Sequence, residues 1–444
     1  MAGARPQARL AFRPRASWPH TRGEQNCALA IVACALTMRL IAALAVDIYA
    51  SGRHQLCLFD DTRVYWELAS QLMHGEPYQI DQFGIPHHAL RVPGYPLFLA
   101  FVRVIGFDAT LPVRIVQAFL GAWSVLILMR MVDRITGGDE RSGSSGWRSP
   151  TVLAGLIAAF EPWSVGMSAL LLSEALFVPL MILALYGMAC LAHPTRLDRP
   201  GLRVVACLVC GFAHGAAVMA RPSWVLFPIV ALPWFVMTRP RGGKARAFQQ
   251  ALLIFLSMVL IQCPWWVRNA GIYGRFVPTA LWFGASLYDG MNPAATGASD
   301  MRFLEEPRYR VLDETVQDRV LRDDAIDFAR RNPLRVVWLA VVKAGRFWSP
   351  WPNADELASP LAMVGSTLVT LPLYYLITVG AVSRRRDLMA LLVLLGPLIY
   401  FALIHMVFVG SLRYRIAAIV PAFGLAGIGL GTMIARRLPR GEVG

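Results

Sequence analysis

The sequence predicts an all-α polytopic membrane protein with about ten transmembrane helices, and three observations support this. Hydrophobic residues make up 56% of the 444 residues and charged residues only 16%, so the mean hydropathy is +0.49, far above that of an ordinary soluble domain. The apolar residues fall in repeated runs of about twenty, the length that crosses a hydrocarbon core. The net charge of +15 is carried by segments between those runs. A soluble nucleic-acid-binding protein is therefore excluded, although the pI is near 10.

The individual spans follow from the hydropathy along the chain. Ten apolar runs are predicted to cross the membrane: 27–50, 112–131, 150–165, 168–191, 204–220, 222–238, 248–267, 359–382, 388–409 and 414–435. Two further apolar pieces, Gly94 to Gly106 and Leu334 to Trp348, are shorter and are interrupted by Arg103 and Lys343. Pieces of this length either cross or lie along the membrane surface.

The distribution of charge decides how the two short pieces lie. If the N-terminus is cytoplasmic and neither piece crosses, the cytoplasmic segments contain 22 Lys and Arg against 7 Asp and Glu. A crossing by either piece would move basic loops such as 384–386 outside, against the positive-inside rule. We therefore predict that both pieces are amphipathic helices on the outer surface, in the first and last large external loops. Both termini are then cytoplasmic, in an inner or plasma membrane.

These spans divide the chain into four parts. The parts are a cytoplasmic basic tail (1–26), an N-terminal transmembrane catalytic module (27–267) with an external loop (51–111), an external loop region (268–358), and C-terminal transmembrane helices with a short tail (359–444). The cytoplasmic loops are short, and no phosphate-binding glycine motif occurs between a strand and a helix. Chemistry is therefore expected outside, on substrates that are already lipid-linked. The stretch 300–331 alternates acidic and basic residues around Val311, Leu312, Val316, Val320 and Ile326, an amphipathic helix pattern that we interpret as a solvated external helix.

Metal binding has little support in the sequence. The chain has seven cysteines, and the Cys207–Cys210 pair lies inside an apolar run without a second pair of ligands. His87 and His88 are adjacent in a loop, where histidines are commonly not ligands. A divalent metal is possible but is not required by the sequence.

An acidic pair opens the first external loop. On a helix, Asp61, Tyr65, Leu68 and Leu72 form one stripe, which places a carboxylate in the first turn just above the bilayer. Two interpretations stay open. Either this carboxylate takes part in chemistry, or Asp60 or Asp61 caps the helix.

Several short motifs follow in order along the chain. They are RVPGYPLFLA at 91–100, LSEALF at 172–177, ARP at 220–222, PWWVRN at 264–269, GMNPAATG at 290–297 and RYR at 413–415. Together with the acidic residue four positions before Tyr65, this set resembles the GT-C superfamily of membrane glycosyltransferases. The branch that it resembles contains dolichyl-phosphate-mannose protein mannosyltransferases and lipid A aminoarabinose transferases. Many relatives have a second proline where Val92 stands here.

The resemblance implies an inverting transfer of a sugar from a polyprenyl-phosphate donor to a protein, lipid or polysaccharide acceptor at the external face. It places the catalytic base on Asp61, with Asp60 as the alternative if the register slips by one. Glu174 is a further catalytic candidate, because an acidic residue near the end of a span is commonly functional or paired. The resemblance also makes Tyr65, Tyr95 and Asn292, which lie in the matched motifs, candidate site residues.

Five arginines are candidates for binding the donor phosphate, because they lie near the predicted outer ends of spans or surface helices, where positive-inside statistics give no reason for arginine. They are Arg91, Arg221, Arg268, Arg413 and Arg415. The other interpretation is snorkelling at the membrane interface. A transporter or flippase of a lipid-linked sugar is the alternative function, but no internal repeat typical of transporters is evident.

Overall fold

The computed structural model describes residues 22–53, 59–106, 108–137, 148–193, 199–353 and 359–437, and the elements below belong to these ranges. The first half contains α1 Arg22–Gly52, α2 Asp60–His74, β1 Ile80–Gln82, β2 Ile85–His87, α3 Gly94–Ile105, α4 Thr110–Thr136, α5 Pro150–Phe160, α6 Pro162–Ala169, α7 Glu174–Ala192, α8 Pro200–Ala220 and α9 Leu226–Met237. The second half contains α10 Lys244–Tyr273, α11 Phe283–Gly290, α12 Pro307–Arg310, α13 Glu314–Arg331, α14 Pro333–Trp348, α15 Pro360–Ser383, α16 Leu388–Leu394, α17 Gly396–Val407, α18 Leu412–Ile419 and α19 Phe423–Arg437. The two strands form an antiparallel hairpin that pairs Ile80 with His87.

The predicted all-α membrane fold is confirmed. Among the described residues, seven helical segments are long and apolar enough to cross a membrane. They are α1, α4, α7, α8, α10 with the 3-10 turn before it, α15, and the continuous stretch Leu412–Arg437. Two bent pairs, α5 with α6 and α16 with α17, raise the number to nine if each pair is one span. The chain is an integral membrane protein.

Three predicted spans differ in detail, and proline explains two of the differences. The run at 150–165 bends by 53° between α5 and α6, where Pro162 lacks an N–H and the Glu161 carboxylate caps Trp163 and Ser164. The run at 388–409 bends by 57°. The run at 222–238 becomes a 3-10 turn followed by the twelve-residue α9, about 18 Å long, because Pro222 follows the end of α8.

Helices pack closely where side chains are small. Helix α8 packs against α7 and α10, α15 against α19, and α1 against α4. At Gly211 an added Cβ would collide with the carbonyl oxygen of Ile254, so the contact of α8 with α10 requires glycine there. This is the usual way in which transmembrane helices approach each other.

The two short apolar pieces form α3 and α14, and both have their apolar face outward. Leu97, Phe101 and Val104 of α3 are exposed. In α14 the exposed apolar residues are Leu334, Val337, Trp338 and Val341. The interrupting charges face the protein: Arg103 donates to the Trp66 carbonyl oxygen, and Lys343 donates to the Val407 carbonyl oxygen. A helix with exposed apolar residues and satisfied charges suits the edge of a bilayer.

The helix ends meet at two opposite levels of the bundle. At one level, His193 lies 3.8 Å from the Asp387 carboxylate, and Arg239 donates to the Ala192 carbonyl oxygen. At the other level, the start of α7, the end of α8 and the start of α18 come together beside α2. The second level carries the cluster described below.

Candidate active site

Five charged side chains from distant parts of the chain meet at this second level. We call Asp61, Arg91, Glu174, Arg221 and Arg413 the ion-pair cluster. They come from α2, the loop before α3, the first residue of α7, the residue after α8, and α18. Their ion pairs join all five residues into one network. Three guanidinium groups face two carboxylates, so the cluster has one positive charge in excess.

Asp61 is bound on both of its carboxylate oxygens. Arg91 Nη2 donates to Oδ1 at 2.9 Å, and Arg413 Nη1 donates to Oδ2 at 2.7 Å. Burial raises the pKa of Asp61, but the positive charges of Arg91 and Arg413 lower it more, so this pKa lies well below its usual range. The side chain remains 29% exposed, so the carboxylate can be reached from the protein surface.

The capping interpretation of the acidic pair does not match the structure. Helix α2 begins at Asp60, and its N-cap residue is Phe59, without a side-chain capping bond. Asp60 is exposed, whereas Asp61 is in the cluster. The predicted stripe is present: Tyr65 and Leu68 are buried, and burial raises the pKa of Tyr65.

Glu174 is fully buried and paired with two arginines. Arg413 donates to it through Nε and Nη2, and Arg221 Nη1 donates at 2.8 Å. A charge at this depth requires such partners. Arg413 thus bridges Glu174 and Asp61 with one guanidinium group. Within the described part of the chain, the buried Nε of Arg221 has no acceptor.

The motif at 91–100 holds Arg91 against the bundle. An added Cβ at Gly94 would collide with the Met219 carbonyl oxygen near the end of α8, which explains the glycine between two prolines. Tyr95 is buried, stacks edge-on against Tyr65 and donates to Gln117. Arg91 lies over the Trp282 ring at 5.0 Å. Tyr95 therefore supports the loop from within.

The other two predicted phosphate ligands are engaged elsewhere. Arg268 donates to the carbonyl oxygens of His88 and Tyr78 at 3.0 and 2.9 Å. Arg415 donates to the carbonyl oxygens of Phe347 and Ser349 and to Tyr374 Oη at 2.7 Å. Neither has an ion pair to the cluster. Both guanidinium groups hold chain segments together in the structure.

Asn292 also has a local role. Its Nδ2 donates to the Tyr288 carbonyl oxygen at 2.8 Å, and its Oδ1 accepts from the Ala294 N–H at 2.8 Å. These bonds shape the loop after α11. The structure does not bring Asn292 into the ion-pair cluster.

Two residues that contact the first loop were missed from the sequence. Trp282 lies over Arg91, but in the sequence it is only an aromatic residue that follows Thr279-Ala280-Leu281 and belongs to no recognised motif. Glu314 lies in the stretch 300–331, which was predicted to be solvated. That prediction was wrong for one face of α13, where Glu314, Gln317 and Leu321 are buried inside the protein. Hydropathy does not indicate this face, because two of its buried residues, Glu314 and Gln317, are polar and charged residues surround them.

A cavity of about 30 Å³ lies beneath Glu174, lined in part by Arg39, Ser124 and Ser168. This is room for about two water molecules. Across the described ranges, no group of three or more His, Cys, Asp and Glu side chains is placed to hold a metal ion.

Comparisons with known proteins give a likeness in structure alone. No protein-family profile and no curated protein matches the chain. The apo oligosaccharyltransferase of Archaeoglobus fulgidus is similar at 14% identity with a TM-score of 0.54, covering 92% of this chain and 50% of that one. A second structure, the archaeal oligosaccharyltransferase AglB from Archaeoglobus fulgidus in complex with an inhibitory peptide and a dolichol-phosphate, is similar at 10% identity with a TM-score of 0.55, covering 93% of this chain and 51% of that one.

A third similar structure is ArnT from Cupriavidus metallidurans bound to undecaprenyl phosphate, at 13% identity and a TM-score of 0.43, covering 91% of this chain and 77% of that one. The chain spans about half the length of the archaeal oligosaccharyltransferase. At these identities the likeness concerns the architecture of the helices. From the two archaeal structures, which are members of the GT-C superfamily, it follows that the chain has the GT-C fold.

Proposed function

We propose that this protein is an inverting membrane glycosyltransferase, which moves a sugar from a polyprenyl-phosphate donor to an acceptor at the external face. The observation that carries the proposal is the position of Asp61 between Arg91 and Arg413, partly exposed at one end of the bundle. A carboxylate beside guanidinium groups supplies a base for the acceptor and positive charge for the phosphate. The GT-C fold supports the same class of reaction.

In the proposed reaction, Asp61 takes the proton of the acceptor hydroxyl or amine. The acceptor atom forms a bond to the anomeric carbon from the side opposite the phosphate. The bond between this carbon and the phosphate oxygen breaks, and its electron pair leaves with the polyprenyl phosphate. Negative charge therefore grows on the phosphate, where preorganised arginines stabilise the transition state most.

Asp61 in the ligand-free cluster is a weak base, because both of its oxygens accept from arginine. A donor phosphate competes for the same guanidinium groups. Once the phosphate draws Arg413 or Arg91 away, one oxygen of Asp61 becomes free and its pKa rises toward the usual value. Donor binding thereby makes Asp61 a stronger base, whereas in the donor-free enzyme Asp61 stays a weak base.

The three arginines of the cluster are the donor ligands in this proposal. Arg221 offers its free Nε, and Arg413 and Arg91 offer groups that are now bound to Asp61. Glu174 orients Arg413 and Arg221, because its buried carboxylate holds both. Arg268 and Arg415, also predicted as phosphate ligands, are assigned to holding the scaffold.

The lipid carrier is proposed from two sources. The archaeal oligosaccharyltransferase was solved with a dolichol-phosphate and an inhibitory peptide, which supports a polyprenyl-phosphate donor and is compatible with a peptide acceptor. The helices α3 and α14, which have exposed apolar faces, adjoin the cluster, because α3 begins three residues after Arg91 and α14 packs against α18. A polyprenyl chain that lies along these apolar faces would bring its phosphate to the cluster.

The test is a donor panel. Purified protein is incubated with different polyprenyl-phosphate sugars and candidate acceptors, and release of free polyprenyl phosphate is measured with wild-type protein and with Asp61→Asn. We expect release with one donor, and its loss in Asp61→Asn. Movement of an intact lipid-linked sugar across proteoliposomes, without release, would instead support the transporter alternative and overturn the proposal.

A further inference from the structure

Glu314 is the first residue of α13, 223 positions after Arg91, and it is buried with only 3% exposure. Its carboxylate accepts from the His88 N–H at 2.8 Å and from the Ala89 N–H at 2.9 Å. Tyr273, at the end of α10, donates its hydroxyl to the same carboxylate at 2.5 Å. One side chain of the second external region thus binds two successive peptide groups of the first loop.

The carbonyl oxygens of the same two residues are also bound. Arg268 donates to the His88 carbonyl oxygen at 3.0 Å. The Leu281 N–H donates to the Ala89 carbonyl oxygen at 2.8 Å. All four backbone groups of His88 and Ala89 therefore bond to residues 268–314, and none is left to adjust freely.

This anchored dipeptide leads directly to Arg91. Only Leu90 separates Ala89 from Arg91, and Leu90 is buried. The Arg91 carbonyl oxygen accepts from Tyr78 Oη at 3.1 Å. The backbone between Ala89 and Arg91 is thus held at each residue. A displacement of Ala89 would therefore also displace the Arg91 guanidinium group that binds Asp61.

We infer that Glu314 is a positioning residue for the ion-pair cluster, which sets the place of Arg91, and through it Asp61, by holding the backbone of His88 and Ala89. For its effect on turnover the inference rests on the proposed function. For its effect on the loop it does not. It also gives α13 a role in the site, because α13 then supplies the side chain that holds the first loop in place.

A carboxylate is required in this position, because all three groups that reach Glu314 are donors. A glutamine would have only one accepting oxygen, and its amide nitrogen would face an N–H or the tyrosine hydroxyl. Glu314→Gln therefore keeps the size of the side chain but breaks at least one anchoring bond. Tyr273→Phe removes the hydroxyl alone and leaves both backbone anchors.

The chain offers a matched control on the same helix. Asp318, one turn after Glu314, also accepts from a backbone N–H, that of Gly284 at 2.7 Å. That contact stays within the second external region. Asp318→Asn therefore repeats the change from acid to amide on α13 without touching the first loop.

The first experiment is hydrogen exchange on the whole detergent-solubilised protein, followed in a peptide covering 85–92. We expect the His88 and Ala89 amides to exchange at least tenfold faster in Glu314→Gln than in the wild type, and to be unchanged in Asp318→Asn. Glu314→Asp, which keeps the charge but is one methylene shorter, should lie between them. Unchanged exchange in both Glu314 variants would overturn the inference, whether or not the protein is a glycosyltransferase.

The second experiment measures turnover against pH. Asp61 faces Arg91, Arg413 and Tyr65, and a displaced Arg91 would leave its charge less balanced. In Glu314→Gln we expect kcat to fall about tenfold or more, and the acid limb of kcat/KM to move to higher pH. Asp318→Asn should match the wild type in both. Faster exchange in Glu314→Gln together with a wild-type pH profile would show a structural anchor only and would contradict the positioning role.

Discussion

Arg413 Nη1 lies 2.7 Å from Asp61 Oδ2, although 352 positions separate the two residues in the chain. Arg413 also holds Glu174 through Nε and Nη2. One guanidinium group therefore joins α2 to the starts of two candidate membrane-spanning segments. This contact sets the electrostatics of the candidate base, and the following predictions test what it does.

Asp61→Asn should abolish turnover while donor binding survives. Positioned proton transfer is worth about a hundred- to ten-thousand-fold in rate, and asparagine keeps the size of the side chain while losing its basicity. Initial rates and donor binding measured on the same preparation give the two values. Asp60→Asn is the control, because Asp60 is exposed and outside the cluster. If Asp60→Asn abolished turnover and Asp61→Asn did not, the base would be Asp60.

Arg413→Lys should raise the donor KM by about tenfold, which corresponds to about 1.4 kcal/mol. Lysine keeps the charge but cannot bridge two carboxylates with a planar fork. Arg413→Ala should be worse, because it leaves Glu174 with one arginine fewer. Steady-state kinetics with varied donor provide the measurement.

Arg415→Lys is the matched control for Arg413→Lys. Arg415 is buried two positions later, but its partners are backbone carbonyl oxygens and Tyr374. We expect a lower melting temperature with an unchanged donor KM. An equal rise in donor KM for both variants would assign Arg415 to the donor site as well.

The pH dependence should differ between the donor-free and donor-bound enzyme. In the free protein the pKa of Asp61 is lowered by Arg91 and Arg413, so the acid limb of kcat/KM for the donor should lie below the usual carboxylate range. If the phosphate takes these arginines, the pKa of Asp61 rises on donor binding. The acid limb of kcat should then lie at higher pH, since kcat reports the bound complex. Coincident limbs would contradict competition for the arginines.

The orientation can be tested by labelling in intact cells. Gly242 is exposed with open space around it, and Val311, between α12 and α13, is 70% exposed. In a cysteine-free background, a membrane-impermeant thiol reagent should label Val311→Cys and leave Gly242→Cys unlabelled until the cells are opened. The reverse pattern would place the ion-pair cluster on the cytoplasmic side.

Much of the fold can be read from local sequence. A helix that crosses a bilayer must be about twenty apolar residues long, so hydropathy finds α1, α4 or α15 directly. The stripe from Asp61 to Leu68 is also local, because the helical period puts these residues on one face. Local sequence failed at 300–331, where the buried face of α13 includes the polar residues Glu314 and Gln317 and differs from the apolar positions of the pattern.

Only the tertiary structure decided which charged residues meet. All five predicted arginines carry the same local signal, a basic residue near the predicted outer end of a span or surface helix. Yet Arg91, Arg221 and Arg413 pair with acids, while Arg268 and Arg415 bind backbone. A guanidinium group reaches only a few ångströms, so its partner depends on how distant helices pack. The same holds for Glu314, whose partners His88 and Ala89 lie more than 220 positions away. Hydropathy and helical period act between neighbours in the chain, whereas an ion pair requires neighbours in space.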